Sequence, residues 1–148
     1  MAPISTGATA AFRHDLNVPA VLQAFIAAED AVAGSGLDKT LKHLIKLRAS
    51  QINGCAFCVK MHVKEARADG ETNDRLDRLV VWRHVSDFTD AEKAALAWTE
   101  ALTQLDSHAD LAPLRGQLRE HFSDAEASAI TSAVAMINLW NRLQVSNH

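Results

Sequence analysis

The sequence predicts an all-α fold. Alanine and leucine are abundant, tyrosine is absent, and no stretch shows the alternating β-branched pattern of a strand. Apolar residues instead recur three and four apart, in runs punctuated by glycines and capping residues. The 148 residues suit a single helical domain, long enough to bury a core without staples.

Residues 1–17 read as a loose arm, small and polar apart from Phe12. Pro19 fits the first turn of a helix running to about Ala33, where Gly34-Ser35-Gly36 stops it. Asp38 is placed to cap a second helix whose apolar stripe is Leu41, Leu44, Ile45 and Leu47. Asn53-Gly54 is a turn signal, and a third helix starts near Cys55 and ends around Asp69 and Gly70. Thr72 or Asn73 can cap a fourth helix, carried by Leu76, Leu79, Val80 and Trp82. Thr89 followed three residues later by Glu92 is a capping box, ahead of a helix bearing Ala94, Ala95, Leu96, Trp98, Ala101 and Leu102. Pro113 opens a short segment to His121. Ser123 with Glu126 repeats the box and starts a long last helix to about Val145. Alanine-rich runs after both boxes predict close helix packing, with Trp82, Trp98 and Trp140 as core residues.

Charge and hydropathy exclude several function classes. A formal charge of -3 gives no electrostatic case for nucleic acid or an anionic membrane surface. No apolar run approaches the roughly 20 residues of a membrane span. The first fourteen residues lack the basic start and apolar stretch of a secretory signal, so a cytoplasmic location is expected. In that reducing compartment a close cysteine pair is expected to be catalytic, redox-sensing or metal-binding.

The chain holds two cysteines, Cys55 and Cys58, and His62 follows four residues on. Two cysteines scattered at random would land at this spacing about once in a hundred chains of this length. On a helix these three residues share one stripe. They supply a thiol to attack, a second thiol to resolve and an imidazole to move protons. The thiolate is the reactive species, and two influences compete to produce it. The positive end of the helix favours Cys55, whereas His62 is better placed to deprotonate Cys58. Periodicity does not choose between them. His43 reads either as a solvated histidine between Lys42 and Lys46 or as a proton carrier. Arg48 and Arg83 read as solvated or paired, and Glu65, Arg67 and Asp69 as an exposed helix face. His14, His84, His108, His121 and His148 form no usable spacing.

The stretch Leu47-Arg48-Ala49-Ser50-Gln51-Ile52-Asn53-Gly54-Cys55-Ala56-Phe57-Cys58-Val59-Lys60-Met61-His62 resembles the core of the AhpD-like family, which groups alkylhydroperoxidases with carboxymuconolactone decarboxylases. The likeness continues through Ala66-Arg67-Ala68-Asp69-Gly70-Glu71-Thr72, Ala94-Ala95-Leu96-Ala97-Trp98-Thr99-Glu100-Ala101 and Ile137-Asn138-Leu139-Trp140-Asn141-Arg142. It covers most of the chain after residue 37. The resemblance implies an all-helical subunit of a homotrimer or homohexamer. It also implies thiol-dependent reduction of organic hydroperoxides or hydrogen peroxide, with no cofactor. In that scheme Cys58 attacks, Cys55 closes an intramolecular disulfide, His62 carries protons and a dithiol reductant restores the pair. Two positions depart from the family pattern. Where its alkylhydroperoxidases carry a relay glutamate, twelve residues before the first cysteine, this chain has His43. Where they often have histidine between the cysteines, it has Phe57.

Other readings use the same residues. The dithiol can act as a redox sensor or disulfide reductase without efficient peroxide turnover. Cys55, Cys58 and His62, with His43 or water, can be read as zinc ligands, although a single helical CxxC places three ligands awkwardly. A decarboxylase is the remaining reading, and that chemistry does not need the dithiol.

Overall fold

Asp38 starts the helix on which the rest of the molecule packs. Its carboxylate accepts the Leu41 N–H at 2.9 Å, so α3 begins at Lys39 and runs to Ile52. The computed structural model describes residues 7–148, and these are helical, with no strand among them. A 3₁₀ turn at Gly7–Thr9 precedes α1 (His14–Asn17), α2 (Pro19–Ala33) and α3. Then come α4 (Ala56–Ala68), α5 (Asn73–Arg78) with a 3₁₀ extension (Leu79–His84), α6 (Asp90–Gln104), α7 (Ala112–Arg119) and α8 (Asp124–Val145). No helix is long and apolar enough to cross a membrane, among the described residues.

Central α3 packs against α4, α6 and α8, and its two apolar faces divide the core. Leu41 and Ile45 join Trp98, Leu118, Ile130 and Val134 on one side. Leu44 and Leu47 join Leu76, Leu79, Trp82, Phe88 and Leu96 on the other. Burying each of these large side chains contributes about 2–3 kcal/mol, which makes α3 a rigid reference for what is built on it. Both predicted capping boxes form. Thr89 and Ser123 each accept from the N–H three residues on, and Glu92 and Glu126 each reach back to the cap N–H.

Three details differ from the sequence reading. The apolar run after Thr72 is not one α-helix. It tightens to 3₁₀ and kinks at Val81, which turns Leu79 and Trp82, three apart, onto the core and leaves Val80 exposed. In the arm read as loose, residues 1–6 lie outside the described residues, while Phe12 is clasped by Asn147. The Phe12 N–H donates to Asn147 Oδ1 at 2.8 Å, and Asn147 Nδ2 donates to the Phe12 carbonyl at 3.1 Å. Trp82 and Trp98 are core residues, but Trp140 is only half-buried and belongs to the cavity described next.

Candidate active site

The cysteine pair sits at a sharp turn between α3 and α4. Gly54 takes φ +65°, a left-handed value that a side chain would strain, and lets the chain reverse directly after α3. The Cys55 N–H then donates to the Ser50 carbonyl at 3.1 Å. This places Cys55 outside the helix as its N-cap (φ −83°, ψ 95°), its sulfur accepting the Cys58 N–H at 3.4 Å. Cys58 lies in the first turn of α4, and the two sulfurs are joined as a disulfide across a Cα–Cα distance of 5.3 Å. An amide network centred on the buried Asn141 fixes the turn from behind. Asn53 Nδ2 donates to Asn138 Oδ1 at 2.9 Å and to Asn141 Oδ1 at 3.0 Å, and Asn141 Nδ2 donates to Ser50 Oγ at 3.0 Å.

A cavity of about 320 Å³ opens in front of Cys58. Cys58 and His62 line it from α4, with Phe57, Met61 and Glu65 at its rim. Lys46 comes from α3, Glu29 from α2, and Ile137, Trp140 and Gln144 from α8. Cys55 does not line it. Both sulfur-bearing residues are buried, but only Cys58 faces the space a substrate could enter.

Charge in this cavity is arranged by neighbours. Burial holds the His62 imidazole below the ordinary histidine value of 6.5, against the opposing pull of Glu65. Its Nδ1 lies 3.2 Å from Glu65 Oε2. Burial would raise the Glu29 carboxyl, but the Lys46 ammonium at 2.8 Å and the Trp140 indole N–H at 3.2 Å outweigh it and hold Glu29 below its ordinary value. His43 is also buried, so the solvated reading fails. Its Nε2 lies 2.5 Å from Asp69 Oδ2, beyond the far end of α4, while its Nδ1 is buried without a hydrogen-bond partner. His43 does not line the cavity.

A family model described as the carboxymuconolactone decarboxylase family matches residues 19–101. The chain belongs to that family. Uncharacterized protein YdfG of Bacillus subtilis is 37% identical over 112 residues, 76% of each chain. Uncharacterized protein YnjA of Escherichia coli is 33% identical over 107 residues, 72% of this chain and 57% of its own. An Agrobacterium tumefaciens protein of unknown function, whose description suggests the antioxidant defence protein AhpD, superposes with a TM-score of 0.88. It is 42% identical, over 93% of this chain and 94% of its own. The debrominase Bmp8 shares the fold alone, with a TM-score of 0.77 at 21% identity over 86% of this chain and 68% of its own.

Within the family fold, the structure brings together three of the four residues singled out from sequence, Cys55, Cys58 and His62. It puts His43 one turn before Lys46 on α3, turned toward Asp69. Among the described residues, no three His, Cys, Asp or Glu side chains are grouped to hold a metal. Sequence reading missed Glu29, Lys46 and Trp140, which come from three different helices and meet only in the fold. Glu65 and Asp69 lie on an exposed face as read, but the reading missed that each also bonds a buried histidine. The i, i+3 spacing of His62 and Glu65 was the available signal. Arg48 and Arg83 are paired, both with Glu100.

Proposed function

We propose that this protein reduces hydroperoxides through a Cys55–Cys58 dithiol–disulfide cycle, with Cys58 as nucleophile. The observation that carries the reading is the asymmetry of the pair: Cys58 faces the cavity, and Cys55 stands behind it within bonding reach. His62, kept neutral by burial, takes the Cys58 thiol proton. The thiolate attacks the distal oxygen of the hydroperoxide. The O–O bond breaks, Cys58 becomes a sulfenic acid, and the alkoxide leaves as an alcohol after taking a proton from His62. The Cys55 thiol attacks the sulfenic sulfur, water departs and the disulfide forms. An external dithiol reduces it by exchange through a mixed disulfide. The helix N-terminus lies under both sulfurs, so it favours a thiolate at either and the cavity decides which one reacts. The apolar walls supplied by Phe57, Met61, Ile137 and Trp140 suit an organic hydroperoxide. The cycle suits a reducing compartment, and the homotrimer or homohexamer expected from the family resemblance is part of the proposal.

The test is consumption of cumene hydroperoxide by reduced protein with a dithiol reductant. Multiple turnovers are expected, abolished in Cys58→Ser and reduced to one oxidation event in Cys55→Ser. Full activity in Cys58→Ser with a dead Cys55→Ser would reverse the roles. No turnover above the Cys58→Ser background would move the function to disulfide exchange or sensing.

A further inference from the structure

Three carboxylates lie near the histidines of this region, and among the described residues only one of them has a histidine as its sole ion-pair partner. Glu29 is locked between Lys46 and the Trp140 indole. Asp69 is locked between Lys39 at 2.7 Å and His43. Glu65 has no lysine or arginine ion pair among the described residues; its partner is His62, and its side chain is 47% exposed. It stands on the cavity rim, touching both the buried imidazole and bulk water.

The atoms in contact settle the tautomer. A carboxylate only accepts hydrogen bonds, so the His62 Nδ1 facing Glu65 Oε2 carries the hydrogen. Nε2 is then the nitrogen with the open lone pair, as a base for the Cys58 thiol must have. We propose that Glu65 is the positioning residue of this site, fixing His62 as the Nδ1–H tautomer so that Nε2 takes the Cys58 thiol proton and returns it to the leaving alkoxide. The proposal rests on the peroxidase reading for its catalytic meaning. It supplies from within α4, three residues after the histidine, a carboxylate that His43 leaves missing on α3. The order is nucleophile, base and orienting carboxylate at Cys58, His62 and Glu65, along one helix face.

Other charged groups act on His62. Lys46 and His43 on α3 both disfavour its protonation. Glu29 faces the same cavity from α2, and α8 lines it with no titratable side chain. Glu65 is the group that favours the imidazolium. Removing its charge should therefore lower the pH at which His62 titrates.

The experiment is an NMR titration of the His62 ring in the oxidised, disulfide-bonded protein, comparing wild type with Glu65→Gln and Glu65→Ala. Because Glu65 is exposed, both variants should fold, which circular dichroism checks. In wild type the Nδ1–H tautomer is expected. Glu65→Gln should keep much of it while His62 titrates at lower pH; Glu65→Ala should lose the tautomer preference and also titrate at lower pH than wild type. In reduced protein, the acid limb of the rate against pH should move down in Glu65→Gln. The rate should fall on the order of tenfold, short of the roughly 10²–10⁴-fold that a proton carrier itself supplies. An unchanged tautomer and titration in Glu65→Ala would overturn the proposal. If wild type turns over no peroxide, the peroxidase reading fails by itself, while the NMR result still judges the Glu65–His62 pair.

Discussion

Replacing Asn141 by alanine should weaken the fold and loosen the cysteine turn together. Asn141 is 1% exposed, donates to Ser50 Oγ and accepts from Asn53 Nδ2, both at 3.0 Å. Each lost bond costs about 1 kcal/mol net, and truncation leaves unfilled space between α8 and α3 that adds about 1 kcal/mol. Two effects oppose this. Alanine favours the interior of α8 by about 0.6 kcal/mol. The partners also keep other bonds, Ser50 to the Lys46 carbonyl and Asn53 to Asn138. The expected loss is therefore about 2–3 kcal/mol, or roughly 4–12 °C in Tm at this chain length. The assay is urea and thermal unfolding of the oxidised protein at one fixed concentration. Because Asn53 immediately precedes Gly54 and Cys55, disulfide reduction by a small thiol should also be faster. A loss below about 0.5 kcal/mol with an unchanged reduction rate would refute the claim that this network holds the turn.

Two further expectations concern charge. Glu29, Glu92 and Glu100 all lie below their ordinary value of 4.5, because bonds to Lys46, Arg75, and Trp82 with Arg48 outweigh burial, and His62 lies below 6.5 because of burial. In each case the unfolded chain takes up protons first, so stability should be level above about pH 7, decline below 6.5 as His62 contributes, and drop faster below 4.5; a Tm that rises from pH 7 to 4 would contradict these assignments. Glu29→Leu should cost about 1–3 kcal/mol, since it leaves the Lys46 ammonium, with 18% of its side chain exposed, and the Trp140 N–H unpaired. Glu29→Gln should cost less, and equal urea midpoints for the two variants would contradict the pairing.

The fold was legible wherever a local rule decided it. Thr89 with Glu92 and Ser123 with Glu126 start helices in any surroundings, because they satisfy N–H groups within their own first turn. Asp38 and Gly54 act in the same local way at the ends of α3. The reading failed after Thr72, where the choice between α and 3₁₀ geometry belongs to the core. Leu79 and Trp82 bury together only after the helix tightens, and no propensity of Val80 or Val81 announces that. Trp140 was read as core from residue type alone. Its indole N–H reaches Glu29 across a separation of 111 residues, which no window along the chain reveals.

The same distinction explains the site. Cys58, His62 and Glu65 lie four and three residues apart on α4, so their shared face is written in the sequence. Glu65 was passed over only because a charge on a helix usually faces water, and half of this one does. Glu29, Lys46 and Trp140 carry no such mark, since their meeting depends on how α2, α3 and α8 converge. His43 shows how a position in a motif can mislead. It occupies the place where the family resemblance leads one to expect a relay glutamate, yet the helix turns its ring toward Asp69. A histidine at position 43 therefore leaves the α3 side without that carboxylate and is paired instead with Asp69, the residue that ends α4. The carboxylates left at the cavity are Glu29, neutralised by Lys46, and Glu65, in contact with the histidine that shares a face with Cys58. In the cycle proposed above, proton transfer then runs along α4 instead of across from α3.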